Sequence, residues 1–237
     1  MIFAVNTSTP QFSMALMKEE GVLIEEYAVS PGMKNFRAFM PFVHSMFEST
    51  GSMIGELKAV ILAVGPGSFT GLRVGLSVAK GIAHGLHIPI IGVSSLESMA
   101  AQLPYTSYAL CPMISSRSGE VFTALFRFDH EHRIIRITGD SSLSLKALVS
   151  IIDGPTLFIG NDFGEQGSSV KDLIGENAFL APPYLWNLRA SAVASLGLKR
   201  FFNNAFDDIR DLVPTYVRPP DIRPNPFQVV SGKQISS

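Results

Sequence analysis

The chain has 237 residues and a formal net charge of −1, enough for one large domain or two small lobes around a real core. That balance excludes unaided grip on a nucleic-acid backbone, which needs a concentrated basic surface. The lone cysteine, Cys111, excludes an internal disulfide and a cysteine-based zinc cluster, and its apolar surroundings read as those of a core thiol.

Mean hydropathy is positive, yet apolar runs such as "AVILAVG" fall far short of the ~20 residues a spanning helix needs. The opening "MIFAVNTSTP" has no basic region before its apolar stretch, so no signal peptide is expected and the expected location is cytoplasmic.

Residues 2–5 read as a strand that ends in the polar turn Asn6-Thr7-Ser8-Thr9. Two more strands, 12–17 and 22–29, face each other across the turn "KEEG". Residues 35–49 place Phe36, Phe39, Met40, Val43, Met46 and Phe47 on one helical face, with Pro41 marking a first turn or a kink. A strand at 59–64, a glycine-rich turn, a helix at 70–86 and a strand at 88–93 make a βαβ unit, whose strands should be parallel. Ser94 or Ser95 then caps a short helix through 102. The order β-β-β-α-β-α-β-α is complete once by that point.

A second, weaker tour follows. Residues 109–114 and 121–128 read as strands around "SSRSGE", with 133–138 beside them. Residues 143–152 read as helix, 156–160 as strand and 190–202 as helix. Prolines at 219, 220, 224 and 226 make the stretch from 215 extended or disordered. The expected division is one lobe over 1–103, a second over 104–213 and a proline-rich tail over 214–237.

The turn "AVGPGSFTGLRVGLSVAKG", residues 63–81, carries the most information. A phosphate-binding P-loop needs Lys-Ser/Thr after its last glycine, and none follows here. The dinucleotide fingerprint needs its third glycine one residue earlier. A nucleophile elbow needs G-x-S-x-G, whereas Ser68 is followed by phenylalanine and threonine. What remains is a tight turn, or an anion site at a helix start. On a helical wheel Arg73, Ser77, Lys80 and His84 form one narrow polar stripe. The rest is apolar or tiny, with Gly71, Gly75, Ala79 and Ala83 spaced by four. So narrow a polar face implies burial on two sides, by the parent sheet and by a second helix. That second helix can belong to another chain.

At this point the residues resemble a known family. "AVGPGSFTGLRVGLSVAKGIAHGLHIPIIGVSSLESMA" resembles the signature region of the TsaB family of bacterial tRNA threonylcarbamoyladenosine biosynthesis proteins. "NTST" near the start, "PMISSRSGEVF" at 112–122 and "PTYVRPP" at 214–220 support the resemblance. It implies the α/β actin-like ATPase superfamily, with two lobes each based on a β-β-β-α-β-α-β-α core and the second reduced. It also implies a degenerate relative of TsaD, the enzyme that transfers threonylcarbamoyl to an adenosine of tRNA.

The same resemblance marks what is missing. TsaD-like sequences carry "HHMEGH", with two metal-binding histidines, where this chain has Ser95 and Met99. Neither can replace an imidazole as an iron or zinc ligand. Active members place an aspartate after the first strand, where this chain has Asn6, which cannot neutralise Mg²⁺ or act as a base. The family often starts the helix near residue 34 with His-Ser-Glu, and here it reads "MKNF". It often reads "IDARRGE" where this chain has "ISSRSGE", which keeps Arg117 and Glu120 and loses the aspartate at Ser115. Asn6, Thr7, Ser8, Gly65, Gly67 and Ser68 are therefore expected to be vestigial phosphate-loop positions.

Among the histidines, His130 and His132 fall in a polar turn, His84 and His87 flank a helix end, and His44 stands alone. No metal and no tightly bound cofactor are expected, and ATP or ADP only in a complex with partners. The resemblance implies a non-catalytic subunit that binds a TsaD-like transferase, alongside a TsaE-like ATPase, and reaches tRNA only through that complex. Alone, the chain is expected to form a homodimer. The expected interface is Leu72, Arg73, Gly75, Leu76, Ser77, Ala79, Lys80, Ala83 and His84. Two alternatives stay open: an ATP-dependent kinase of the same fold, with 159–167 as a candidate adenosine loop, and a serine peptidase using Ser68 or Ser95 with His84.

Overall fold

A computed structural model describes residues 1–29, 39–117 and 119–218. The first sheet has the order β3-β2-β1-β4-β5. It is built from β1 (Ile2–Asn6), β2 (Phe12–Met17), β3 (Leu23–Val29), β4 (Ala59–Gly65) and β5 (Ile90–Ser94). β1, β2 and β3 pair antiparallel, while β1, β4 and β5 run parallel. β1 and β2 are buried along their whole length, which explains their near-continuous apolar runs.

Two helices cover one face of this sheet. In α1 (Phe39–Thr50), Pro41 falls in the first described turn, where a missing N–H costs no intrahelical bond. Phe39, Val43, Met46 and Phe47 are buried as expected, but Met40 is 50% exposed. Phe36 and the rest of the expected start at 35–38 lie outside the described residues. α2 (Phe69–Leu86) follows the glycine turn, and Ser68 caps it by accepting the Gly71 N–H. It ends at His87, whose backbone is left-handed at φ 53. Ile88 N–H still donates to Ala83 O, so β5 starts at Ile90 rather than at 88.

The opposite face carries α3 (Ser95–Ala101), capped by Ser94, and the last helix, α6 (Ala190–Phe202). Val193, Ala194 and Leu198 of α6 share a core with Ile2, Ala4, Ala15 and Ile61 of the first sheet. The same core continues through Leu96 and Met99 into Leu110, Ile114, Phe126 and Ile159, so the two sheets share one apolar interior.

The second sheet runs β10-β7-β6-β11-β12, with β8 paired to β6 and to β9. Its strands are β6 (Ala109–Ser115), β7 (Glu120–Thr123), β8 (Phe126–Phe128), β9 (Ile134–Arg136), β10 (Ser141–Ser144), β11 (Thr156–Gly160) and β12 (Ala178–Leu180). The single strand expected over 121–128 is broken. Leu125 N–H donates to Thr138 Oγ1 at 2.8 Å and Leu125 O accepts from Ile137 N–H at 2.7 Å, which turns the chain. The helix expected over 143–152 is shorter. Ser142 and Leu143 pair with β7 as part of β10, and α4 (Leu145–Leu148) starts only after the Ser144 cap.

α5 (Phe163–Ile174) and β12 were not anticipated. The expected adenosine loop over 159–167 is instead the end of β11 and the first turns of α5. Cys111 is fully buried in β6, and burial pushes its thiol up to about 12. At pH 8 that leaves about a thousandfold less thiolate than an ordinary cysteine carries. The native chain should therefore resist thiol-labelling reagents and react fully only after unfolding. Labelling of the native protein at the rate of a free thiol would contradict that placement.

Candidate functional site

The ends of β1 and β4 lie side by side, and the loops beyond them meet. Asn6 is fully buried, and its amide is spent on the chain itself. Its Nδ2 donates to Thr9 Oγ1 at 3.1 Å and to Leu188 O at 3.0 Å. Its Oδ1 accepts the Ser8 N–H at 2.9 Å and the Ser8 hydroxyl at 2.6 Å. Four hydrogen bonds make Asn6 a structural brace for the loop 6–9.

The glycine turn presses on that loop. Ser68 N–H donates to Ser8 O at 2.8 Å. A Cβ on Gly71 would sit 2.0 Å from Thr7 O, and one on Gly75 would sit 2.1 Å from Thr7 Oγ1. These glycines allow α2 to approach the Thr7 loop closely. Gly65 has φ +126, and a Cβ there would lie 2.4 Å from Thr215 O, so this position needs glycine for both conformation and space. The turn packs one segment of the chain closely on another. A Mg²⁺-nucleotide does not fit these residues: the loop offers a neutral amide already saturated by the protein, and no carboxylate.

Between the lobes lies a cleft of about 230 Å³, bounded by the Ser8 loop, the glycine turn, the β6–β7 turn with Arg117, and residues 215–218. Ser115 is held within the second lobe: its N–H donates to Asn161 Oδ1 at 3.0 Å and its hydroxyl to Asp162 Oδ2 at 3.1 Å. Glu120 accepts from the Ser142 hydroxyl at 2.9 Å and from Arg218 at 2.8 Å.

The helix predicted to face a partner divides sharply. Leu72, Gly75, Leu76, Ala79 and Ala83 are buried against the chain's own sheet and loop. The expected small-residue stripe is therefore filled from within the chain rather than by a second helix: Gly71 and Gly75 lie against Thr7, and Ala79 and Ala83 pack in the core. Leu76 also belongs to the core, in one cluster with Phe3, Leu62 and Ile82. Arg73, Ser77 and His84 are exposed and Lys80 is half-buried. Arg73 lies over the Phe69 ring at 3.9 Å and Lys80 reaches Arg210 O at 3.5 Å. The outward face of α2 is Thr70, Arg73, Ser77, Gly81, His84 and Gly85, flanked by half-buried Val74 and Val78.

The residues weighed for peptidase chemistry do not converge. Ser68 caps α2 and His84 lies sixteen positions further along it, about 24 Å away at the helical rise. Ser95 is fully buried, and its hydroxyl has no hydrogen-bond partner. Met99 is likewise fully buried. His130 is solvated beside Glu131, and His132 stacks on Tyr105 at 4.0 Å between ring centroids. Among the described residues no group of three or more His, Cys, Asp or Glu could hold a metal ion. No helix among them is long and apolar enough to cross a membrane.

Comparison with known proteins gives a consistent picture. The family model "TsaD: tRNA N6-adenosine threonylcarbamoyltransferase" matches residues 34–185. The chain is 31% identical over 220 residues to the tRNA threonylcarbamoyladenosine biosynthesis protein TsaB of Bacillus subtilis, covering 92% of this chain and 93% of that protein. It is 32% identical over 130 residues to the Escherichia coli protein of the same name, covering 54% of this chain and 55% of that one. Among solved structures, YeaZ from Pseudomonas aeruginosa superposes with a TM-score of 0.74 at 20% identity, covering 91% of this chain and 98% of that one. The ethanolamine utilization protein EutJ from Carboxydothermus hydrogenoformans superposes with a TM-score of 0.51 at 12% identity, covering 81% of this chain and 88% of that one. These two likenesses speak to the fold.

Proposed function

The chain belongs to the TsaB family and has the actin-like ATPase fold, and from that premise we propose that it is a non-catalytic subunit for forming N6-threonylcarbamoyladenosine in tRNA. In this reading it docks a TsaD-like transferase and holds it competent, with a TsaE-like ATPase completing the set in the cytoplasm. One observation carries the reading: the loops that would hold a phosphate are spent on internal contacts. Asn6 is saturated and the glycines are pressed onto Thr7. ATP or ADP then belongs to the complex rather than to this chain alone. tRNA is reached only through the partner, consistent with a net charge of −1.

The outward face of α2 is the surface assigned to the transferase, and to a second copy of the chain when the transferase is absent. The two complexes then compete for one patch. Gly81 is the place to test this, because a Cβ there meets nothing within 4 Å. Gly81→Glu should fold, since replacing a mid-helix glycine removes a cost of roughly 0.5–1 kcal/mol. At the centre of a docked helix pair the new carboxylate would be desolvated without a partner. The expected result is a monomer with a normal melting curve that no longer co-purifies with the TsaD-like protein. A variant that keeps both complexes would show that α2 is not the docking surface.

A further inference from the structure

The residues after α6 do more than end the described fold. Asp207 N–H donates to Ile90 O at 3.0 Å, and its carboxylate accepts from Gly92 N–H at 2.7 Å and from Arg200 at 2.9 Å. That seam covers the outer edge of β5, which otherwise ends the first sheet. Further on, Thr215 N–H donates to Val64 O at 2.7 Å, beside the glycine turn. Tyr216 stacks on Phe69 with centroids 5.2 Å apart, and its hydroxyl accepts from Arg73 Nε at 3.2 Å. Arg218 then reaches across to Glu120 of β7, in the other lobe, at 2.8 Å.

The fastenings are unequal. On the first lobe the segment is held by a backbone seam, the half-buried Asp207 carboxylate and an aromatic stack. On the second lobe it meets Glu120 through the Arg218 ion pair, whose side chains are 51% and 30% exposed. Residues 215–218 also form one wall of the 230 Å³ cleft. Meanwhile the shared core through Leu96, Met99, Leu110 and Ile114 holds the lobes together whether or not the segment stays in place.

We propose that residues 207–218 are a strap over the interlobe cleft, fixed on the first lobe and releasable at Arg218–Glu120 on the second. Release uncovers the cleft walls without separating the lobes. This inference stands apart from the docking assigned to α2, and its failure would leave that docking untouched.

The test is hydrogen–deuterium exchange of the full chain, comparing Arg218→Glu, Glu120→Arg and the double swap. An exposed pair of this kind shifts a local opening equilibrium by about two- to fivefold. Each single variant should therefore speed exchange by that factor in peptides covering 66–69 and 115–120, while β1 and α6 exchange as before. The double swap should return both walls to the wild-type rate. Glu120 also accepts from Ser142, so a second probe leaves the ion pair intact: Tyr216→Ala should speed exchange in both walls as well. Unchanged walls in the single variants, a swap that restores nothing, faster exchange throughout the fold, or a Tyr216→Ala effect confined to its own peptide would each overturn the strap.

Discussion

Leu76→Glu is expected to collapse the first lobe rather than yield a folded monomer. Leu76 is 9% exposed and sits in the core that joins α2 to β1, β4 and α1. A carboxylate there must lose its hydration inside an apolar cluster, at a cost of several kcal/mol. Against a total stability of roughly 5–15 kcal/mol, that is enough to unfold much of the population. Thermal unfolding followed by near-ultraviolet circular dichroism reads it directly. A melting point lowered by more than about 10 °C, or no cooperative melt, is the expected outcome. A normal melt would place Leu76 outside the core and return it to the docking face. Gly81, five positions along the same helix, is expected to behave in the opposite way, so the two variants together separate folding from docking.

Gly71→Ala is the second large effect. Alanine usually stabilises a helix by about 1 kcal/mol over glycine. Here the added methyl would lie 2.0 Å from Thr7 O, a backbone atom. Relief would require moving either α2 off its sheet or the loop 6–9 off its brace, and Asn6 holds that loop with four buried hydrogen bonds. Overpacking costs about 1–3 kcal/mol and occasionally more, and a 2.0 Å contact with a backbone atom puts this site at the upper end. Urea denaturation should show that loss, with Gly81→Ala moving the midpoint the other way. If Gly71→Ala came within about 1 kcal/mol of wild type, the close approach of α2 to Thr7 would be wrong.

Much of the first lobe was legible in the residues, because its signals are local. The Ser94 cap, the βαβ spacing and the apolar runs of β1, β2 and β4 each depend on neighbours in sequence. The second lobe was harder to read. The break after β7 depends on Thr138 bonding to Leu125, thirteen positions away. β10 depends on pairing with β7, which no local pattern announces. α5 did leave a signal: Phe163, Gly167 and Val170 are its buried residues, at spacings of four and three, but its glycines read as a loop.

At the candidate site, the period of α2 was clear but its orientation was not. A wheel shows that small and apolar residues fill most of the circumference. It cannot show that Thr7, more than sixty positions earlier, occupies the groove at Gly71 and Gly75. The linking roles of Tyr216 and Arg218 were equally hidden, since both partners, Phe69 and Glu120, lie far away in sequence. "PTYVRPP" could be seen as a family feature without revealing what it touches.

The return of α6 to the first sheet sets the order of assembly against the order of synthesis. A nascent chain emits β1 to β5 early, yet Ile2, Ala4, Ala15 and Ile61 wait for residues 190–202 to cover them. Until then the growing polypeptide carries a broad greasy sheet face while still tethered to the ribosome, a form that invites chaperone capture or aggregation. A premature stop before Ala190 would therefore not release a smaller working protein. It would release the incomplete side of this one, and the cell would have to clear it.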